Sequence, residues 1–303
     1  MTQLSQSAFE KATEFIAANA RPLEQAQFEY NFAAGSAASV LVELAKFQND
    51  DGGFGHGLEP DVRMPFSSPI VSTIAFELLR DLGVPGDEQI VRDGIAYFER
   101  TYDRSIGGWE SVDSRSNDYP RAAWWNYQPV EGQLEPIARA NPGPEIIGYL
   151  HLYPDHAGAD FVTRVTTEIL TTFDELPDDM EFHAMMCFMR LAEMAPSPVT
   201  ERLLPKLRRG VHMVTGGNPG DWRAYGGRPL GFAPKPDSLL ADELGSAVQA
   251  QLDYEIDNQA DDGSWQPNWS WRQYEDEWET AKIEWAGYLT LRNLVTLKEW
   301  GRT

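Results

Sequence analysis

Cysteine is almost absent from this chain, with Cys187 the single one among 303 residues. No intramolecular disulfide can form, which excludes the stapled scaffold of small secreted proteins and leads to the expectation of a reducing, cytoplasmic setting. Positive charge is also scarce. The 25 basic residues face 47 acidic ones, for a formal net charge of -22. Such a field repels nucleic-acid phosphates and anionic lipid over the Debye length, so nucleic acid is not an expected partner. Long apolar runs are missing too: no stretch of about 18 residues lacks charge. The N-terminus carries Glu10, Lys11 and Glu14 within its apolar pattern, so neither a signal peptide nor a membrane span is expected. There is no Walker loop, dinucleotide fingerprint, His-Glu-x-x-His zinc helix or Gly-x-Ser-x-Gly elbow, which argues against nucleotide chemistry; no cofactor and no metal are expected.

What is present is apolar and aromatic. Hydrophobic residues make up 42% and aromatics 12%, including ten Trp, enough to fill a core and still line a cavity. Apolar residues recur at helical spacing in Phe9, Ala12, Phe15 and Ile16, in Val40, Leu41, Leu44 and Phe47, and in Ile70, Ile74, Leu78 and Leu79. Further helices are predicted over Ile90 to Tyr102, Glu145 to Leu152, Ala159 to Phe173, Met180 to Met194, Val199 to Met213, Leu239 to Ile256 and Asp276 to Trp300. No β-alternating run matches them in strength. The expected fold is all-α, with residues 1–303 forming one domain. Arg202, Lys206, Arg208 and Arg209 share one side of their segment and read as a solvated face, with an anion site as the sharper alternative.

The chain repeats itself. Gln48-Asn-Asp-Asp-Gly52-Gly-Phe54 and Gln259-Ala-Asp-Asp-Gly263-Ser-Trp265 share every spacing, and each follows an apolar helical run. A looser copy ends at Gly107-Gly108-Trp109, and a weaker one at Gly220-Asp221-Trp222. In such a unit Gly stops the helix in a left-handed conformation, Asp bonds backbone, and the aromatic packs beside the helix just ended. The Gln is expected to bond exposed backbone of a neighbouring helix. The two good copies resemble the Gln/Trp repeats of the squalene cyclase, terpenoid cyclase and protein prenyltransferase superfamily. That resemblance implies an (α/α)6 toroid of helical hairpins, with inner helices parallel to one another and ringed by outer ones.

In such a toroid, loops entering inner helices converge on one mouth of the cavity, so segments just after the repeat turns come first. The loop Gly55-His56-Gly57-Leu58-Glu59-Pro60-Asp61 lies there. Asp61 or Glu59 reads as a general acid kept protonated by an apolar cavity, with His56 as hydrogen-bond partner or proton shuttle. The plainer reading is loop packing, with Asp61 tied to Arg63. Trp124, Trp125, Asn126 and Tyr127 form a candidate ligand wall, suited to a carbocation or to a sugar face, or else they are packing. Glu181, His183 and Cys187 lie on one helix, and the four-residue step from His183 to Cys187 puts both on one side. That spacing can hold zinc, although a satisfied His and an inert buried Cys are the default. Near the C-terminus Trp265, Trp269, Trp271, Trp278 and Trp285 mix with Asp276, Glu277, Glu279 and Glu284, from which Trp269, Trp271 and Glu284 are taken as substrate contacts.

The first functional expectation is a terpenoid cyclase or prenyltransferase-like enzyme, acting on a largely apolar isoprenoid in an aromatic cavity by acid-initiated carbocation chemistry. The Asp-x-Asp-Asp motif by which protonation-initiated cyclases are known is missing, a departure from those enzymes. The second is a carbohydrate-active enzyme with paired carboxylates in a Trp-lined cleft, Glu59 or Asp61 as acid and Glu181 or Glu284 as base. The third is a non-catalytic binding or interaction protein that keeps the toroid.

Overall fold

The computed structural model describes residues 2–303 and is built from helices. They are α1 (Gln6–Asn19), α2 (Pro22–Phe32), α3 (Ala37–Leu44), α4 (Pro69–Asp81), α5 (Gln89–Thr101), α6 (Pro136–Arg139), α7 (Gly143–Leu152), α8 (Ala159–Glu175), α9 (Phe182–Met194), α10 (Ser197–Val214), α11 (Pro229–Phe232), α12 (Ala241–Asp257) and α13 (Glu275–Glu299). Among the described residues no β-strand forms, only isolated bridges, and no helix is long and apolar enough to cross a membrane. The all-α expectation is met, and the helices predicted from periodicity stand at the observed positions to within a turn. The chain divides into two compact units, one of residues 47–214 and one of residues 1–46 with 215–303.

The unit of residues 47–214 is three helical hairpins whose first helices run parallel. The Tyr149 hydroxyl of α7 lies 3.3 Å from the Thr73 carbonyl of α4, and its ring, like that of Tyr153 beyond the helix end, meets Phe76. Glu145 of α7 bonds Arg190 of α9, while one turn on Gly148 lies against Leu191 and Met194. Glu77 and Arg80 of α4 pair in the same order with Arg190 and Glu193 of α9. The second helices return antiparallel. In α7 and α8, His151 meets Thr166 and Gly143 meets Ile169; in α9 and α10, Ala192 accepts from Thr200 and Met185 lies against Gly210.

Three basic residues of α10 are committed to α8 and the turn after it. Arg202 pairs with Asp174 at 2.5 Å and Arg209 with Asp178 at 2.7 Å. Lys206 donates to the Phe173 and Leu176 carbonyls, where a helix end leaves acceptors unsatisfied. These contacts support the solvated-face reading rather than an anion site.

The repeat turns behave as their composition predicts. Gln48 Nε2 donates to Gly52 O within its turn and to Ile90 O at the start of α5, each at 3.0 Å. Gln259 Nε2 does the same to Gly263 O at 2.8 Å and to Ala8 O of α1 at 2.9 Å. Gly52 and Gly263 sit at φ 83° and 89°; a Cβ would run into the backbone of Asp93 at the first and of Lys11 at the second, so Gly is required twice over. Asp51 and Asp262 accept from the amides of Gly53 and Ser264 at 3.0 Å. The indoles of Trp265 and Trp109 donate back to the carbonyls of Glu255 and Phe98, at 2.9 and 2.8 Å, pinning each turn to the helix it ends. The fourth copy is not of this kind: Gly220 has φ -66°, and Trp222 bonds Gly216 inside its own loop.

Since Ala8 and Lys11 take the places that Ile90 and Asp93 take in the first copy, α1 stands to α13 as α5 stands to α4. In the second unit the final hairpin is thus assembled from the two ends of the chain. Leu4 N donates to Arg302 O at 2.8 Å, Ala20 backs Gly287, and the Arg302 side chain is 2% exposed and 3.0 Å from Asp253.

Candidate functional site

The loop before α4 is held by the first repeat turn. Asn49 Nδ2 donates to Pro65 O and Ser67 Oγ, both at 3.0 Å. Its Oδ1 meets His56 Nε2 at 2.8 Å, which makes His56 the donor because an amide oxygen only accepts. Ser67 Oγ donates to Asp51 Oδ1 at 2.6 Å. Gly55 N donates to Phe47 O at 3.0 Å, and a Cβ on Gly55 would collide with the carbonyls of Pro65 and Phe66, so the loop's two limbs touch through backbone. His56 itself adopts φ 55°, a left-handed conformation uncommon outside glycine and held here by Asn49.

From that anchor the chain runs to a short antiparallel pairing with residues 120–122. Ala122 N donates to Asp61 O at 2.9 Å and Arg63 N donates to Pro120 O at 3.1 Å, on either side of the Val62 and Arg121 bridge. Ala122 O then accepts from Trp125 N at 3.0 Å to start the turn carrying the tandem tryptophans. Asn117 and Tyr127 close the segment with reciprocal bonds of 2.9 and 3.2 Å, and Tyr127 OH donates to Glu110 at 3.2 Å. The His56 to Asp61 loop and the Trp124 to Tyr127 wall, picked separately from the sequence, therefore share one backbone junction.

Glu59 and Asp61 are buried at this junction, at 8% and 3% exposure, beside the equally buried Arg121. Arg121 donates through Nη1 to the Ser116 and Tyr119 carbonyls at 3.1 and 2.8 Å, which fixes its guanidinium. Trp124 is half exposed. Trp125 buries its Nε1 without a hydrogen-bond partner. Acids, a cation and indoles carried by two paired backbone segments are groups that can exchange protons, offer hydrogen bonds and stack on a flat or apolar ligand.

The other candidates occupy other places. Glu181 caps the start of α9, accepting from the amides of His183 and Ala184 at 2.9 and 3.2 Å, and meets His183 Nδ1 at 2.7 Å. Burial works against its charge, but His183 and these amides together hold the carboxyl below its ordinary range. Cys187 is far less exposed than His183. It is buried, 3.7 Å from both Asn141 Oδ1 and Glu145 Oε2, and burial, with Glu145 alongside, pushes its thiol well up. In the second unit Trp271 is fully buried against Trp278, while Trp269 packs on Trp285. Glu284 lies on α13 between them in sequence and is half-buried.

Sequence reasoning passed over Arg121, Asn49 and Ser67. Asn49 carries a usable signal: it occupies a position where the second repeat has Ala260, so it is not needed for the turn and serves the His56 loop alone. Comparison of the chain with protein-family models, with curated proteins and with solved structures finds no match in any of them.

Proposed function

We propose that this chain is an enzyme of terpenoid cyclase type, an α/α toroid in which the junction of residues 59–63 with 120–125 meets a largely apolar, isoprenoid-like substrate. The observation that carries the reading is the backbone pairing that ties the buried Glu59 and Asp61 to the tandem tryptophans. The parallel order of α4, α7 and α9 supports the toroid, since inner helices of such a ring run the same way. In this reading the Asp61 carboxyl gives its proton to one carbon of a substrate double bond. The π electrons form the new C–H bond and leave a tertiary cation, which a second double bond attacks to close a ring. Loss of a proton from the neighbouring carbon then restores a neutral product. Trp124 and Trp125 face the cation with their π clouds, and His56, steadied by Asn49, relays a proton back to the acid.

The half-exposed Trp124 and the unpartnered Trp125 indole N–H favour a second reading, in which the same acids serve a hydroxyl-rich sugar stacked on Trp124. The experiment is incubation with linear prenyl substrates and with oligosaccharides, followed by mass analysis of products. Cyclic hydrocarbons or alcohols formed by the wild type and lost in Asp61→Asn support the cyclase; cyclisation that survives Asp61→Asn removes that residue from the role, and cleaved sugars replace the first reading with the second.

A further inference from the structure

The second unit holds a device that the acid-loop reading does not use. Residues 215–228 leave and return at one point: Thr215 bridges Gly227, and Gly216 N donates to Gly227 O at 3.2 Å. The loop is filled by its own Trp222, which is 1% exposed, donates through Nε1 to Gly216 O at 2.8 Å and stands edge-on to Tyr254 of α12. Arg228 donates to the Trp222 carbonyl and lies 3.5 Å from Glu255 of α12, which anchors the base. Closed ends and a self-packed interior define an Ω-loop, a form frequently functional.

Its tip behaves differently from its base. Tyr225 is 57% exposed, yet its ring packs on Trp269 at 5.5 Å and 69°, and Asn268 donates to the adjacent Arg223 O at 3.2 Å. Trp269 continues into Trp285 at 5.0 Å, and Trp285 into Tyr288 at 5.4 Å, each edge-to-face. The Trp269 Nε1 is shielded from solvent and has no hydrogen-bond partner, an arrangement disfavoured unless another state of the molecule satisfies it. On either side of the tip, Gly217 and Gly226 have open space where a side chain would stand, so close packing does not require glycine at either, and each keeps glycine's wide range of backbone torsions.

We infer that residues 215–228 form a lid whose tip, clasped by Tyr225 on Trp269, swings about Gly217 and Gly226 to admit an apolar ligand bearing a hydrogen-bond acceptor. Opening lifts one ring from the aromatic row and turns the Trp269 N–H from an unsatisfied donor into a recognition group. Trp222 lies between the two pivots and moves with the tip, while the Thr215 and Gly227 bridge and the Arg228 and Glu255 pair stay closed.

The full chain is tested with hydrogen exchange, with acrylamide quenching of the Trp269 emission (taken as the difference from Trp269→Phe), and with neutral, carbonyl-bearing Nile red as probe. Wild-type amides of residues 217–226 should exchange faster than those of α12. Tyr225→Gly, at an exposed position, should leave the melting curve in place and raise Trp269 quenching and Nile red binding roughly 2- to 10-fold, the equivalent of one lost aromatic pair. The Nile red gain should vanish in Tyr225→Gly/Trp269→Phe. Tip amides as protected as α12, or Trp269 quenching unchanged by Tyr225→Gly, would overturn the lid. Neither result bears on Asp61.

Discussion

Replacing Arg190 by Met tests what holds the three parallel helices in register. Glu145 of α7 is 3% exposed, and its two oxygens are engaged by the Tyr149 hydroxyl and by Arg190 Nη1, each at 2.6 Å. Arg190 of α9 also reaches Glu77 of α4 at 3.2 Å, so one guanidinium spans all three helices. Met preserves most of the stem's volume, so the loss is that of the countercharge rather than a cavity. Breaking a buried pair by removing one partner costs about 3–5 kcal/mol. Arg190 is 18% exposed and Glu77 31%, so water reaches one side of the cluster, and the lower end, about 3 kcal/mol, is expected here.

Urea unfolding near neutral pH measures the loss. Glu145→Gln in the Arg190→Met background should recover more than half of it, because a neutral amide still accepts from Tyr149 and no longer needs a cation. A single variant within about 1 kcal/mol of wild type, or a double variant no more stable than the single, would refute the argument that the charge, not the packing, sets the cost.

Two further outcomes follow from named contacts. Gln259→Ala removes the bonds to Gly263 O and Ala8 O and so unties α1 from the last repeat turn; a loss of about 1–3 kcal/mol is expected, and an unchanged melting temperature would show that the terminal helices close without it. His151 is held below its ordinary value by burial, with Nε2 donating to a Thr166 hydroxyl that itself donates to Val162 O. Its folded value lies below its unfolded one, so the unfolded chain takes the proton first and stability falls as pH drops through about 6.5; His151→Gln should flatten that part of the stability profile, and a profile of wild-type steepness would exclude His151 as its source.

Most helices were legible in the sequence because their apolar residues recur every third or fourth position, and this pattern survives whatever packs against it. The repeat turns were legible for another reason: each needs a left-handed Gly and a backbone-seeking Gln and Asp at fixed spacing, so chemistry and spacing carry the same information. The buried network of Glu77, Glu145 and Arg190 was not. Those residues lie far apart in sequence, and a charged side chain on a helix reads as solvated until the neighbouring helices are known. The tie between α1 and the last turn was hidden likewise, since nothing local in Ala8 or Lys11 announces a partner about 250 residues away. The Asp61 and Trp125 segments could each be picked out by composition, but their junction rests on backbone bonds that no side-chain pattern encodes.

The two repeat copies also act as controls for each other, which gives a way to separate scaffold from site inside one chain. Where both keep a residue type and both use it alike, as with Gln48 and Gln259, Asp51 and Asp262, Gly52 and Gly263, the role is structural, and each copy's bonds repeat the other's. Where they part, the turn is indifferent and something else must account for the residue. Asn49 against Ala260 is such a position, and Asn49 spends its amide on His56, Pro65 and Ser67, all in the loop that leads into α4. Asn49→Ala should therefore leave the repeat turn and its bond to Ile90 intact while releasing His56 from its left-handed conformation. The first repeat thus carries an added tie to the His56 to Asp61 loop, while the second joins the last turn to α1.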